Sequence, residues 1–179
     1  MERPKALLPV AGASLIEWII AQLRELFPQI LVCVSDREKF QFLQGCPLVE
    51  DEKPGLGPLM AILSGLRRSA NPVNFVVACD IPDIHADFVR RMLNRAAAVD
   101  IVVPRYRDGK FEPLFAVYNR AVISAIEKQF AAGDCRISSL YRSCRTEFIA
   151  MDGHQGWFRN LNTAKEYHDY LQSRRKSTP

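Results

Sequence analysis

An apolar run, Phe75-Val76-Val77-Ala78-Cys79, stops abruptly on Asp80, with Ile81, Pro82 and Asp83 behind it. A carboxylate at the mouth of a strand is placed to hold a cation or the hydroxyls of a ribose, because ligands of open α/β sheets collect where strands end. The same aspartate can equally be a plain cap on the turn that follows. A second candidate lies upstream, where Glu50-Asp51 closes a brief apolar pair and Lys53-Pro54-Gly55-Leu56-Gly57-Pro58 leads into a helical pattern. Bare amides and the helix dipole at such a start attract anions, nucleotide phosphates included, although glycine and proline also serve simple turns there.

These side chains need a scaffold, and the hydrophobic pattern describes one. The Phe75 run, β-branched and bounded by turn residues, reads as a strand buried on both faces. Ser14 with Glu17 is a capping box for a helix over 15–27, whose apolar positions Leu15, Ile16, Ile19, Ile20, Leu23 and Leu26 keep the helical period until Pro28. The remaining pattern predicts strands at 30–34, 48–49, 101–103, 113–118 and 147–151, and helices at 39–43, 59–69, 86–97, 119–130 and 137–142. A loop at 152–156 and an extended stretch from Trp157 then lead to a closing helix over 164–173 capped by Thr163. Strands alternating with helices imply one domain, a three-layer α/β/α sandwich with a mostly parallel sheet and a Rossmann-like order.

Composition narrows the partners. A net charge of +4 suits an anionic ligand but is too small to mark a nucleic-acid surface, and the tail Arg174-Arg175-Lys176 reads as a solvated terminus. The five cysteines form no paired spacing for zinc or a redox dithiol, which fits reduced thiols in the cytoplasm; Cys33 and Cys79 are expected to pack as small hydrophobes. No stretch is long and apolar enough to span a bilayer, and Pro9 interrupts the one segment that resembles a signal peptide. The expectation is a cytoplasmic protein that meets neither membrane nor nucleic acid.

Several segments in order resemble a known family. Pro4-Lys5-Ala6-Leu7-Leu8-Pro9-Val10, followed by Leu15-Ile16-Glu17, is similar to the segment after the glycine-rich loop of nucleotidyltransferases. Glu50-Asp51, Gly57-Pro58-Leu59 and Ala78-Cys79-Asp80-Ile81-Pro82 narrow the resemblance to the molybdenum cofactor guanylyltransferases, the MobA-like group. Glu112-Pro113-Leu114-Phe115-Ala116-Val117-Tyr118 and Phe158-Arg159-Asn160-Leu161-Asn162-Thr163 resemble its later motifs. The resemblance implies transfer of GMP from GTP to the molybdenum cofactor with release of pyrophosphate, and a possible recipient molybdoenzyme or chaperone. It assigns Lys5 to phosphate charge, Asp80 to Mg²⁺, Asp51 and Gly57 to the nucleotide, and Asn160 and Asn162 to the molybdopterin side. Attack of one phosphate on another needs cations more than a base, which agrees with that set.

Two departures keep alternatives open. The family's first strand and its Leu-Ala-Gly-Gly loop, ending Arg-Met-Gly, have no counterpart here: Met1 stands at the motif's Met and Glu2 at its Gly. A start assigned too late, a truncated product and a paralogue kept for binding each account for this. Removal of that strand would expose the ladder groups of its two neighbours, the Ile30 and Phe75 strands. Ala61 stands where the family usually has glycine, and a methyl group there crowds the base. The alternatives are therefore another nucleotide such as CTP, another phosphate acceptor, or a non-catalytic cofactor-binding homologue.

Overall fold

The structure is a computed structural model that describes residues 4–151 and 158–177. Met1, Glu2, the expected 152–156 loop, Trp157 and the side chains of Arg175 and Lys176 lie outside the described residues. After a single 3₁₀ turn at Lys5–Leu7, β1 (Pro9–Val10) and β2 (Ala13–Ser14) form an antiparallel pair around Ala11 and Gly12, both with positive φ. Helix α1 (Leu15–Arg24) then opens with the expected capping box: Glu17 N donates to Ser14 Oγ, and Ser14 N donates to Glu17 Oε2 at 2.8 Å. It ends three residues before Phe27. Pro28 disfavours helical geometry at the residue before it, so the chain tightens instead, with Leu26 N and Phe27 N both donating to Leu23 O.

Strands β3 (Val32–Val34) and β4 (Leu48–Glu50) pair in parallel, and the short helix expected over 39–43 between them is a 3₁₀ turn at Glu38–Phe40. Helix α2 (Pro58–Arg68) places Pro58 in its first turn, where the missing N–H costs nothing. There follow β5 (Val73–Val77), α3 (Ala86–Arg95), β6 (Ile101–Arg105), β7 (Phe115–Asn119), α4 (Ile123–Ala131), α5 (Leu140–Ser143), β8 (Thr146–Ala150) and α6 (Ala164–Ser177). The larger sheet has the order β5-β7-β6-β8. Strand β7 runs antiparallel to both its neighbours, because the link from β6 is a hairpin too short for a crossover helix; β6 and β8 are parallel.

Side chains alternate between two cores, one on each face of the sheet. Ile101, Val103, Ala116 and Tyr118 meet α2 and α4, while Val102, Phe115 and Val117 meet α3. Helices α1 and α2 cover the smaller sheet. Ile16 and Ile20 of α1 pack on Val32 and Val34, and Leu15, Ile19 and Leu23 of α1 pack near Phe75 and Val77. On the other face, α2 lies close to Cys33. The two sheets are thus halves of one layer, with β3 and β5 as neighbouring edges.

Among the described residues those edges have no strand between them. Val32 N donates to Pro47 O and Val34 O accepts from Asp51 N, so the backbone groups of Cys33 point away from β4. Ala78 N donates to Leu114 O and Pro72 O accepts from Arg120 N, so those of Val73, Phe75 and Val77 point away from β7. The Phe75 strand has helices on both faces as expected, but every residue of β5 is only half-buried, because one edge of its backbone has no partner among the described residues. Cys33 and Cys79, expected inside, are exposed at that margin for the same reason.

Candidate active site

Lys5 and Asp80 are brought together from opposite ends of a long stretch of chain. Asp80 sits in the turn that ends β5, where Ile81 N donates to Ala78 O at 3.2 Å. Helix α1 clamps the residues beyond: Trp18 Nε1 and Gln22 Nε2 donate to Pro82 O at 3.0 and 2.8 Å, and Gln22 Oε1 accepts from Ile84 N at 2.9 Å. Lys5, on its 3₁₀ turn, places Nζ 3.7 Å from Asp80 Oδ2 and donates to Asn162 Oδ1 at 2.8 Å. About a third of the lysine side chain and a quarter of the aspartate's remain exposed (34% and 24%), so the pair is open to a ligand.

Asn162 owes its place to a second capping box. Glu166 Oε2 accepts from the amides of Asn162 and Thr163 and from Thr163 Oγ1, while Glu166 N donates back to Thr163 Oγ1. These bonds, the Thr163 hydroxyl first, hold the Glu166 carboxyl below its ordinary range, and Lys5 adds to the effect. The extended approach to this box lies against the Asp80 turn, with Leu161 N donating to Asp80 O at 2.8 Å. Asn160 turns the other way, its Nδ2 donating to Glu112 Oε2 at 3.1 Å, and its Oδ1 is buried without a partner.

Asp51 and Gly57 belong to the other half of the layer. Asp51 follows β4 and donates its amide to Val34 O at 3.3 Å; its Oδ1 is buried without a partner, and burial raises its pKa. Gly57 caps α2 at φ 73°, a left-handed conformation that favours glycine, and a Cβ built there would meet nothing within 4 Å. The turn geometry alone requires glycine, and the space before it is open to a ligand. No hydrogen bond or ion pair among the described residues joins Asp51 or Gly57 to the Lys5 cluster, which faces them from the β5 side.

The donor set bears on a metal. Among the described residues no group of three or more His, Cys, Asp and Glu side chains converges. Asp80 is a single carboxylate beside a lysine, a set that fits Mg²⁺ brought in on phosphate oxygens and not a cage built by protein alone. A shallow pocket of about 480 Å³ under Asp100, Val122, Lys128 and Cys144 is lined by none of these residues. Sequence reasoning gave Glu112 no task, although a carboxylate directly before the proline that opens a strand motif was a visible signal.

An acid at the mouth of a strand, a lysine against it and a glycine-led helix start in one α/β layer are parts with which phosphates and a divalent cation can be held, as a nucleotidyltransferase requires. The chain belongs to the MobA-like NTP transferase domain family, which it matches over residues 1–148. It is 32% identical to the molybdenum cofactor guanylyltransferase of Vibrio atlanticus, covering 92% of this chain and 84% of that protein. A probable molybdenum cofactor guanylyltransferase of Carboxydothermus hydrogenoformans is 28% identical, over 96% and 89% of the two chains. The crystal structure of molybdopterin-guanine dinucleotide biosynthesis protein A from Archaeoglobus fulgidus shares the fold at a TM-score of 0.82, with 19% identity over 98% of this chain and 92% of that one.

Proposed function

We propose that this chain transfers GMP from GTP to the terminal phosphate of the molybdenum cofactor, forming the guanine dinucleotide and releasing pyrophosphate. The observation that carries the reading is the Lys5–Asp80–Asn162 cluster at the end of β5, in a chain of this family. A cofactor phosphate oxygen attacks the α-phosphorus; the new P–O bond forms as the bond to the β-phosphate oxygen breaks, and the electron pair leaves with pyrophosphate. Two anions meet in that step, so the barrier is set by charge. Lys5 Nζ, which already spans Asp80 and Asn162, supplies a cation to the phosphates. Mg²⁺ bound through Asp80 and phosphate oxygens would neutralise the triphosphate and orient its leaving group.

Asp51 supplies a buried, unpaired acceptor for the N–H groups of guanine or the hydroxyls of ribose, and the open face of Gly57 admits the base. Asn162, at the Lys5 end, and Asn160, at the Glu112 end, are assigned to the second substrate. Work in the cytoplasm, with a recipient protein taking the product, is part of the same reading, and the unpaired cysteines suit that reducing compartment. The test is to incubate the chain with Mg²⁺, molybdenum cofactor and either GTP or CTP and to measure pyrophosphate and dinucleotide together. Product with GTP and not with CTP is expected. Preference for CTP overturns the guanylyl assignment, and cofactor binding without either product overturns transfer itself.

A further inference from the structure

The transfer just described assigns no task to Glu112, yet this residue gathers the polar contacts around Asn160. Its backbone is fixed at both ends, the amide donating to Pro104 O at 3.0 Å and the carbonyl accepting from Phe115 N at 3.2 Å. Its Oε2 accepts twice, from Tyr106 Oη at 3.2 Å and from Asn160 Nδ2 at 3.1 Å. The Tyr106 ring stands edge-on to Phe158, with centroids 5.8 Å apart. Burial first, then the charge of Glu112, pushes the Tyr106 hydroxyl above the ordinary tyrosine range, so it stays a proton donor.

A carboxylate has no proton to give, which settles the orientation of its neighbour: the Asn160 NH₂ must turn toward Glu112 and its carbonyl must turn away. That carbonyl oxygen is the buried atom left without a partner. The next residue, Leu161, donates its amide to Asp80 O at 2.8 Å, so Asn160 lies one residue along the chain from the Asp80 turn. A buried acceptor with no partner among the described residues is open to a donor from a ligand.

We propose that Glu112 is a positioning residue that, with Tyr106, holds the Asn160 amide so that Oδ1 remains an acceptor for an N–H of the pterin ring of the molybdenum cofactor. The proposal rests on the guanylyl-transfer reading and specifies what the second substrate must offer. Guanine carries similar N–H groups, so the nucleotide is the competing source of the donor.

The test titrates the chain by calorimetry with molybdenum cofactor and, separately, with Mg-GTP. Asn160→Asp sets two carboxylates against each other and is expected to weaken cofactor binding at least about tenfold. The double variant Glu112→Gln, Asn160→Asp reverses the pair: the new amide donates, the new carboxylate accepts, and one acceptor oxygen is free again. It is expected to recover cofactor affinity to within about threefold of the unaltered chain, with Mg-GTP affinity constant throughout. A double variant no better than Asn160→Asp alone overturns the positioning role. Loss of Mg-GTP affinity in place of cofactor affinity overturns the pterin assignment. An unaltered chain that binds no cofactor overturns this inference together with the reading beneath it, whereas binding and rescue without dinucleotide formation sustain the inference and fail only the transfer. Glu112→Ala, measured with its melting temperature, should match Asn160→Asp; if it does not fold, the volume-conserving double variant decides.

Discussion

Strands β5 and β7 are neighbours of similar composition with opposite fates. In β7, Phe115, Ala116, Val117 and Tyr118 are completely buried, with helices on both faces and a strand on either side. In β5 every residue from Val73 to Val77 keeps some exposure, because one edge of its backbone has no partner among the described residues. The chemistry-bearing groups follow the open strand: Asp80 ends it, Lys5 leans on Asp80, and Asp51 and Gly57 stand across the margin next to β3. Packing is concentrated in the β6–β7 centre and chemistry at the β3–β5 margin. Substitutions in the two regions should accordingly separate stability from activity.

The largest effect is expected at the margin. Asp80→Ala should lower GMP transfer at least about 100-fold, as removal of a transition-state charge contact does, while the melting temperature moves little. The aspartate is partly exposed and its ion pair is long at 3.7 Å, so little folding energy depends on it. Equal transfer by the variant would refute its role, and a collapse in melting temperature would break the division between the regions. Next comes the closed centre: Ile101→Ala, fully buried in β6, should cost about 2–5 kcal/mol in denaturant unfolding. Val77→Ala in half-buried β5 should cost only about 1 kcal/mol. Equal costs would show that the margin is closed in solution.

Much of this division was legible in the sequence, and its limits have physical causes. The apolar run ending on Asp80, the Ser14–Glu17 box and the Thr163 cap depend on local spacing, and each stands where the pattern placed it. Helix α1 was read three residues too long because apolar period carried the pattern past the point where Pro28 constrains the backbone. The burial of Cys33 and Cys79 was misjudged and that of the Phe75 strand overestimated, since composition reports what a strand could bury and pairing decides what it does bury. The Lys5–Asn162 bond, spanning nearly the whole chain, and the Glu112–Asn160 contact are tertiary juxtapositions with no local signal.

Hydrogen exchange sharpens the comparison residue by residue. Alternate amides of β5 have different partners: those of Asn74 and Val76 face β7, and those of Val73, Phe75 and Val77 face the margin. The second set should exchange at least about tenfold faster than the first, giving an alternating pattern, while both kinds of position in β7 are slow. Uniform protection along β5 would mean that its outer edge is covered.

The smallest effect concerns how the margin holds Asn162. Its amide and that of Thr163 donate to Glu166, whose carboxyl lies below its ordinary 4.5 because these bonds favour the ionised form. A carboxyl with a depressed folded pKa takes up its proton more readily when unfolded, so its contribution to stability is present above pH 4.5 and declines as pH falls through the folded value. The start of α6 should therefore loosen in acid before the β6–β7 centre does. Arg174 of that helix stands over the Trp18 ring, its Cζ 4.0 Å from the ring centroid, which makes Trp18 fluorescence, read in a Trp157→Phe background, a local reporter. The fluorescence change as pH falls below 4.5 should precede loss of the sheet signal in circular dichroism and should flatten in Glu166→Gln. Coincident transitions in both signals would show that the capping box unfolds only with the core, and the margin would then be no softer than the centre in this respect.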